Sequence, residues 1–153
     1  MNLKLSVLVP FLIVSILTFG QENSKIQIDY PTNVEAPLNK KETAMIKEVF
    51  QSKSKELVFN NETFLKDIKH LLRNRILIYE EVNAKAQKQT KMLSEIPLFD
   101  DHNKNLKRDS KFDISNFNPL KYKLDFFANG TYVYRIDSTN YFIQVTSQYR
   151  TQN

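Results

Sequence analysis

The sequence predicts an α+β domain in which two N-terminal amphipathic helices pack on a C-terminal antiparallel meander of three strands, extendable to four or five. Three observations lead there. Apolar residues recur at helical spacing between residues 40 and 72, the period changes to two after residue 121, and the chain opens with an uncharged apolar run that reads as a signal-peptide helix. The 153 residues include 41% hydrophobic, 12% aromatic and 25% charged residues, the profile of one globular domain rather than of a disordered tail.

The run Leu5–Phe19 follows Lys4, and Thr18 and Gly20 stand at the small-residue positions of a cleavage site, so residues 1–20 read as a signal peptide. Fifteen residues interrupted by Pro10 fall short of the roughly 20 helical residues that span a bilayer core. The expected location is therefore secreted or periplasmic; a membrane-anchored protein with an uncleaved N-terminal helix is an alternative. The chain has no cysteine. That excludes disulfide scaffolds, thiol catalysis, thiolate metal sites and a lipidated cysteine behind the signal, and an exported cysteine-free domain fits a bacterial envelope.

Residues 21–38, with Pro31 and Pro37, read as an extended lead-in that can add an edge strand, ahead of a single α+β domain over 39–153. Asn39 with Glu42 has the spacing of a capping box. Met45, Ile46, Val49, Phe50 and Leu57 then extend one apolar stripe over 40–57. Asn61 starts a second helix with Phe64, Leu65, Ile68, Leu71 and Leu72 on its apolar face, Asn74 stops it, and residues 75–80 form a β-rich strand. Residues 83–95 are polar, at most a marginal helix. Residues 97–119, punctuated by Pro, Asn, Asp and Ser, form a long loop pinned by its aromatic side chains.

The meander can be put in register. A three-residue loop Ala128–Gly130 with a left-handed Gly130 pairs Tyr122, Leu124 and Phe126 with Ile136, Tyr134 and Tyr132. The turn 137–140 then pairs those with Tyr141, Ile143 and Val145, so that nine apolar side chains share one face, which the helices would cover. The opposite face carries Lys123, Arg135 and Phe142 in one cross-strand row. Basic and aromatic groups there are the candidate binding residues, suited to an envelope protein or an anionic or sugar-containing surface polymer, unless this face is covered as a second small core.

Candidates for catalysis are few. Two histidines and two glycines leave no glycine-rich phosphate loop, and no catalytic residue, metal ligand or cofactor is assigned. His102 beside Asp100 and Asp101 is the basis of an alternative reading as an envelope hydrolase or metal-dependent enzyme. Net charge is +5, with basic clusters at Lys66, Lys69, Arg73 and Arg75 and at Lys104, Lys107, Arg108 and Lys111. Their interleaved acids and the signal segment favour a solvated face, with no nucleic-acid partner. The leading expectation is an exported, non-enzymatic binding or accessory domain. Intact-mass analysis of the protein purified from its native host is expected to show a chain that starts at Gln21; a retained Met1 contradicts it.

Overall fold

The computed structural model describes residue 28 and residues 30–82 and 90–148. The expected signal segment, residues 1–20, lies outside the described residues, as do residues 21–27 and 29 of the lead-in and residues 83–89. The described chain is mixed α and β. Two helices, α1 (Lys40–Phe50) and α2 (Glu62–His70), precede a sheet of four strands, β1 (Ile76–Glu80), β2 (Lys91–Met92), β3 (Thr131–Arg135) and β4 (Tyr141–Thr146). The strand order is β1-β4-β3-β2. No described helix is long and apolar enough to cross a membrane.

The helix starts follow local chemistry. The Asn39 side chain accepts from the Glu42 amide at 2.8 Å and Glu42 returns the bond to the Asn39 amide at 2.9 Å, a complete capping box. Asn61 caps α2 by accepting from the Phe64 amide at 3.1 Å. The first helix is shorter than its apolar stripe. Gln51, at φ 48°, ends it, and the chain continues through a 3-10 turn into a π-helical turn at Lys55–Phe59. The break changes the phase of the stripe, so Val58 is fully buried and Leu57 only partly. A second π-helical turn, Leu71–Arg75, feeds α2 directly into β1.

The hairpin β3–β4 has the expected register, Tyr132 opposite Val145 and Tyr134 opposite Ile143, and the Ile136 amide bonds to Tyr141 at 2.9 Å. Gly130 has φ +103°, a conformation that an L side chain rarely adopts. The rest of the sheet differs from a three-stranded antiparallel meander: β1 is antiparallel to β4, and β2 lies parallel to β3. Residues 122–126 are not a strand of this sheet. Pro119 begins a 3-10 turn, the Phe126 amide turns back onto Leu124 O at 2.6 Å, and the Ala128 amide bonds to Asp125 O, so the backbone is too bent to ladder. Its polar groups go to the long loop instead: Lys123 donates to Pro97 O and Phe99 donates to Lys121 O, around a Leu98–Tyr122 bridge. The edge of β3 that it would have used is taken by β2. In the same region the polar segment before Pro97 forms β2 and a 3-10 turn at Leu93–Glu95 instead of a helix.

The nine side chains assigned to one face nevertheless meet in one core: Tyr122, Leu124, Tyr134, Ile136, Ile143 and Val145 are buried, and Phe126, Tyr132 and Tyr141 pack against them. Each contributes on the order of 1.5–3 kcal/mol by burial, less for those partly exposed. What covers the sheet is not the helices but Leu93, Ile96 and Phe117 from the irregular chain. The helices build a second core around Ile46, Val49, Phe50, Val58, Ile68, Leu71 and Leu120. Ile76 and Phe126 touch both clusters and join them.

Most of the first basic cluster is structural rather than solvated. The Arg73 guanidinium bonds both oxygens of Glu42 at 2.6 Å and donates to the carbonyls of Asn33, Ala36 and Pro37, while Lys69 reaches Val34 O at 3.0 Å. Together they tie the lead-in to both helices; among its described residues the lead-in forms a short 3-10 turn and no strand. Arg75, 3% exposed, donates to Thr146 O and Phe126 O.

The bonds from Arg73 hold the Glu42 carboxyl below its ordinary value of 4.5, against the opposing effect of burial. Because the folded-state value is the depressed one, the stabilisation is complete above pH 4.5 and is lost as pH falls through the folded value. Arg73→Met is expected to cost about 3 kcal/mol at pH 7 in urea denaturation, as for a broken buried pair, and to flatten the acid-side loss of stability. An unchanged pH profile in this variant contradicts the assignment.

Candidate functional site

The sheet is stiffened at the β3–β4 turn by its own side chains. Thr139 Oγ1 donates to Ile136 O and accepts from the Tyr141 amide, and Arg135 donates to Thr139 O at 3.1 and 3.2 Å. Ser138, at φ 57°, stands at the tip. The Asp137 carboxylate accepts from both the amide and the hydroxyl of Ser94, which fastens this turn to the segment behind β2.

Opposite lies the loop 108–112. The Arg108 guanidinium donates to Leu93 O and Ile96 O and sits 5.6 Å from the Tyr122 ring centroid. Asp109 accepts from Lys121 Nζ at 2.6 Å, and Lys121 also faces Glu48 of α1 at 3.4 Å. Burial works against the Lys121 ammonium, but Asp109 and Glu48 outweigh it and hold its pKa above the ordinary lysine value. The two walls enclose a cleft of about 480 Å³ with Leu93, Phe112, Phe117, Tyr122 and Ile136 as an apolar floor. Its rim carries Ser94, Arg108, Asp109, Ser110, Lys111, Asp137, Ser138 and Thr139. An apolar floor with a few convergent polar groups, at this volume, is the usual form of a small-ligand site. Among the described residues, the side chains of Ser110, Lys111 and Ser138 make no hydrogen bond or ion pair within the protein.

The residues expected to form a binding row are placed differently. Arg135 and Phe142 are direct cross-strand partners, and Tyr79 extends the row from β1, its ring stacked 5.8 Å from that of Phe142. Phe142 is 1% exposed and therefore packs within the protein. Lys123 is not beside them, because its segment is not a strand of the sheet. Its ammonium lies 3.3 Å from Asp101 and 5.9 Å from the centre of the Phe99 ring. There it borders an apolar groove of about 290 Å³ lined by Phe50, Phe64, Phe99 and Phe126, with Phe127 53% exposed at the edge.

His102, central to the metal-enzyme reading, stacks on Phe50 at 5.5 Å and meets Phe99 edge-on at 5.8 Å. Asp101 pairs with Lys123 at 3.3 Å and Asp100 with Lys104 at 3.6 Å, so each of these acids is engaged with a lysine. Among the described residues no group of three or more His, Asp or Glu is placed to hold a metal ion. His70 stands edge-on to Tyr30 at 5.6 Å, with Nδ1 facing the Asn74 amide at 3.2 Å; burial, then Arg75, lower its pKa. Tyr30 donates to Asp67 at 2.7 Å, and burial together with that bond raises its pKa to about 12.

Comparison of the chain with known protein families, curated proteins and solved structures finds no match. Sequence reasoning missed the cleft because its walls come from residues 93–94, 108–112 and 136–139, of which only the last carries a local pattern. The one available signal was the turn 137–140, read correctly as a connection but not as a wall. Arg108→Lys keeps the charge and loses the planar fork that holds two carbonyls. It is expected to lower stability by about 1 kcal/mol in thermal or urea denaturation, against a change of under about 0.5 kcal/mol for Lys107→Ala on the exposed loop.

Proposed function

We propose that this protein is an exported, non-enzymatic binding domain of the bacterial envelope or secreted space, and that the cleft between the loop 108–112 and the β3–β4 turn is its ligand site. The observation that carries the reading is the form of this cleft: about 480 Å³, apolar at the floor, polar at the rim, with Ser110, Lys111 and Ser138 uncommitted among the described residues. Export is supported by Lys4 and the apolar run Leu5–Phe19 ending at Gly20. A binding role, in place of the hydrolase or metal enzyme, is supported by the two histidines. Both lie against aromatic rings, and the acids beside His102 are paired with Lys104 and Lys123.

The ligand is a ring-bearing polar group presented by a surface polymer or another envelope component. Its flat apolar side meets the half-buried Phe112, and its polar edge meets the rim. The groove beside Lys123 is a weaker candidate, since its cation is already paired with Asp101.

The test is an NMR titration of the protein from Gln21 to Asn153 with a fragment set of sugars, nucleosides and aromatic acids. Shift changes are expected to centre on residues 108–112 and 136–139 and to vanish in Ser110→Trp, which fills the cleft. Shifts confined to residues 123–127 and the helices, or no shift from any fragment, overturn the reading.

A further inference from the structure

The cleft has a neighbour. A second open cavity of about 470 Å³ is lined by Lys111, Phe112, Asp113, Ile114 and Tyr141. Lys111 and Phe112 line both cavities and so form the ridge between them. The Phe112 ring is half-buried and braced on two sides, by Phe117 at 5.6 Å and by Tyr141 at 5.1 Å. A braced aromatic ring between two polar-rimmed hollows suits a ligand made of repeated rings that carries on past a single unit.

We infer that the ligand is an uncharged oligosaccharide chain that crosses the Lys111–Phe112 ridge, with sugar units in the cavities on either side. The inference rests on the reading of the cleft as the ligand site and adds its chemical class and length. The aliphatic C–H face of a pyranose is apolar and slightly positive, so it packs on the negative face of an aromatic ring. Sugar hydroxyls both donate and accept, and the two rims offer both functions: acceptors in Asp113 and Asp137, donors in Lys111, and hydroxyls of both kinds in Ser110 and Ser138.

The charge balance selects against the alternatives. Arg108 and Lys111 stand against Asp109, Asp113 and Asp137, and Asp109 is further neutralised by Lys121. A polyanion would meet Asp113 and Asp137, and a polycation would meet Arg108 and Lys111. The Asp113 carboxylate is kept ionised by the Ser115 amide and the Asn116 side chain, which hold its pKa below the ordinary value. An uncharged chain pays neither repulsion, and each added unit binds at a high effective concentration once the first is seated.

Calorimetric or NMR titration of the Gln21–Asn153 protein decides the point with N-acetylglucosamine, its trimer, cellotriose and trigalacturonate as probes. At least one neutral trimer is expected to bind at least tenfold more tightly than its monosaccharide, with little dependence on salt. Phe112→Leu keeps the apolar volume and removes the flat ring; it is expected to weaken the trimer at least fivefold. Lys111→Gln, at an exposed position, is expected to weaken it about twofold without altering thermal stability. Equal affinity for monomer and trimer overturns the ridge-crossing chain while leaving the cleft as a single-unit site. Tighter, salt-sensitive binding of trigalacturonate overturns the uncharged class. Failure of every sugar, with other fragments still shifting residues 108–112, overturns the inference alone; failure of all fragments removes the cleft reading with it.

Discussion

Much of this fold is irregular backbone, and irregular backbone has carbonyls that neither helix nor sheet satisfies. The structure depends on supplying donors to them from basic side chains. Arg73 and Lys69 serve the lead-in, Arg75 the ends of β4 and of the 122–126 segment, Arg108 the turn behind β2, and Arg135 the hairpin turn. A guanidinium suits this work because its planar fork reaches two or three oxygens and stays charged, so the bonds are strong and persist at any physiological pH. No buried polar side-chain atom among the described residues is left without a partner. In a chain without disulfides, these bonds and the two apolar clusters do the cross-linking.

The same constraint explains why the basic clusters were misleading as sequence. Lys69, Arg73 and Arg75 are spaced like charges on a solvated face, but their partners lie 31 to 73 residues away, beyond any local pattern. Features with local causes were legible: the caps at Asn39 and Asn61, the strand after Asn74, and the β3–β4 register with its turn. The alternation through Tyr122, Leu124 and Phe126 correctly sent three side chains to the core, yet gave the wrong backbone. A bent extended segment alternates its side chains as a strand does, and only its hydrogen bonds tell them apart. Nothing in the stripe over 40–57 marks Gln51 as the break, since a glutamine at positive φ has no compositional signature.

The proposed site was the least legible part, for a related reason. Its walls are brought together by Asp137 with Ser94, by Arg108 with the carbonyls of Leu93 and Ile96, and by Lys121 with Asp109. All are contacts between segments that are separately unremarkable. The clasp at Lys121 also reaches Glu48 of α1, so the helical core and the cleft wall share one buried ammonium.

The position of β4 has a consequence for how the molecule comes into being. The last of the described strands is an interior one, between β1 and β3, and its pairing with β1 spans some 60 to 70 residues. Among the described strands β1 pairs with β4, so it joins the sheet only once residues 141–145 are present, and closing a loop of that length precedes any gain from the pairing. A chain synthesised only as far as residue 140 holds the helices and the first half of the hairpin but not the described sheet. Completion of the described sheet is deferred until β4 is made, so the fold carries its own timing.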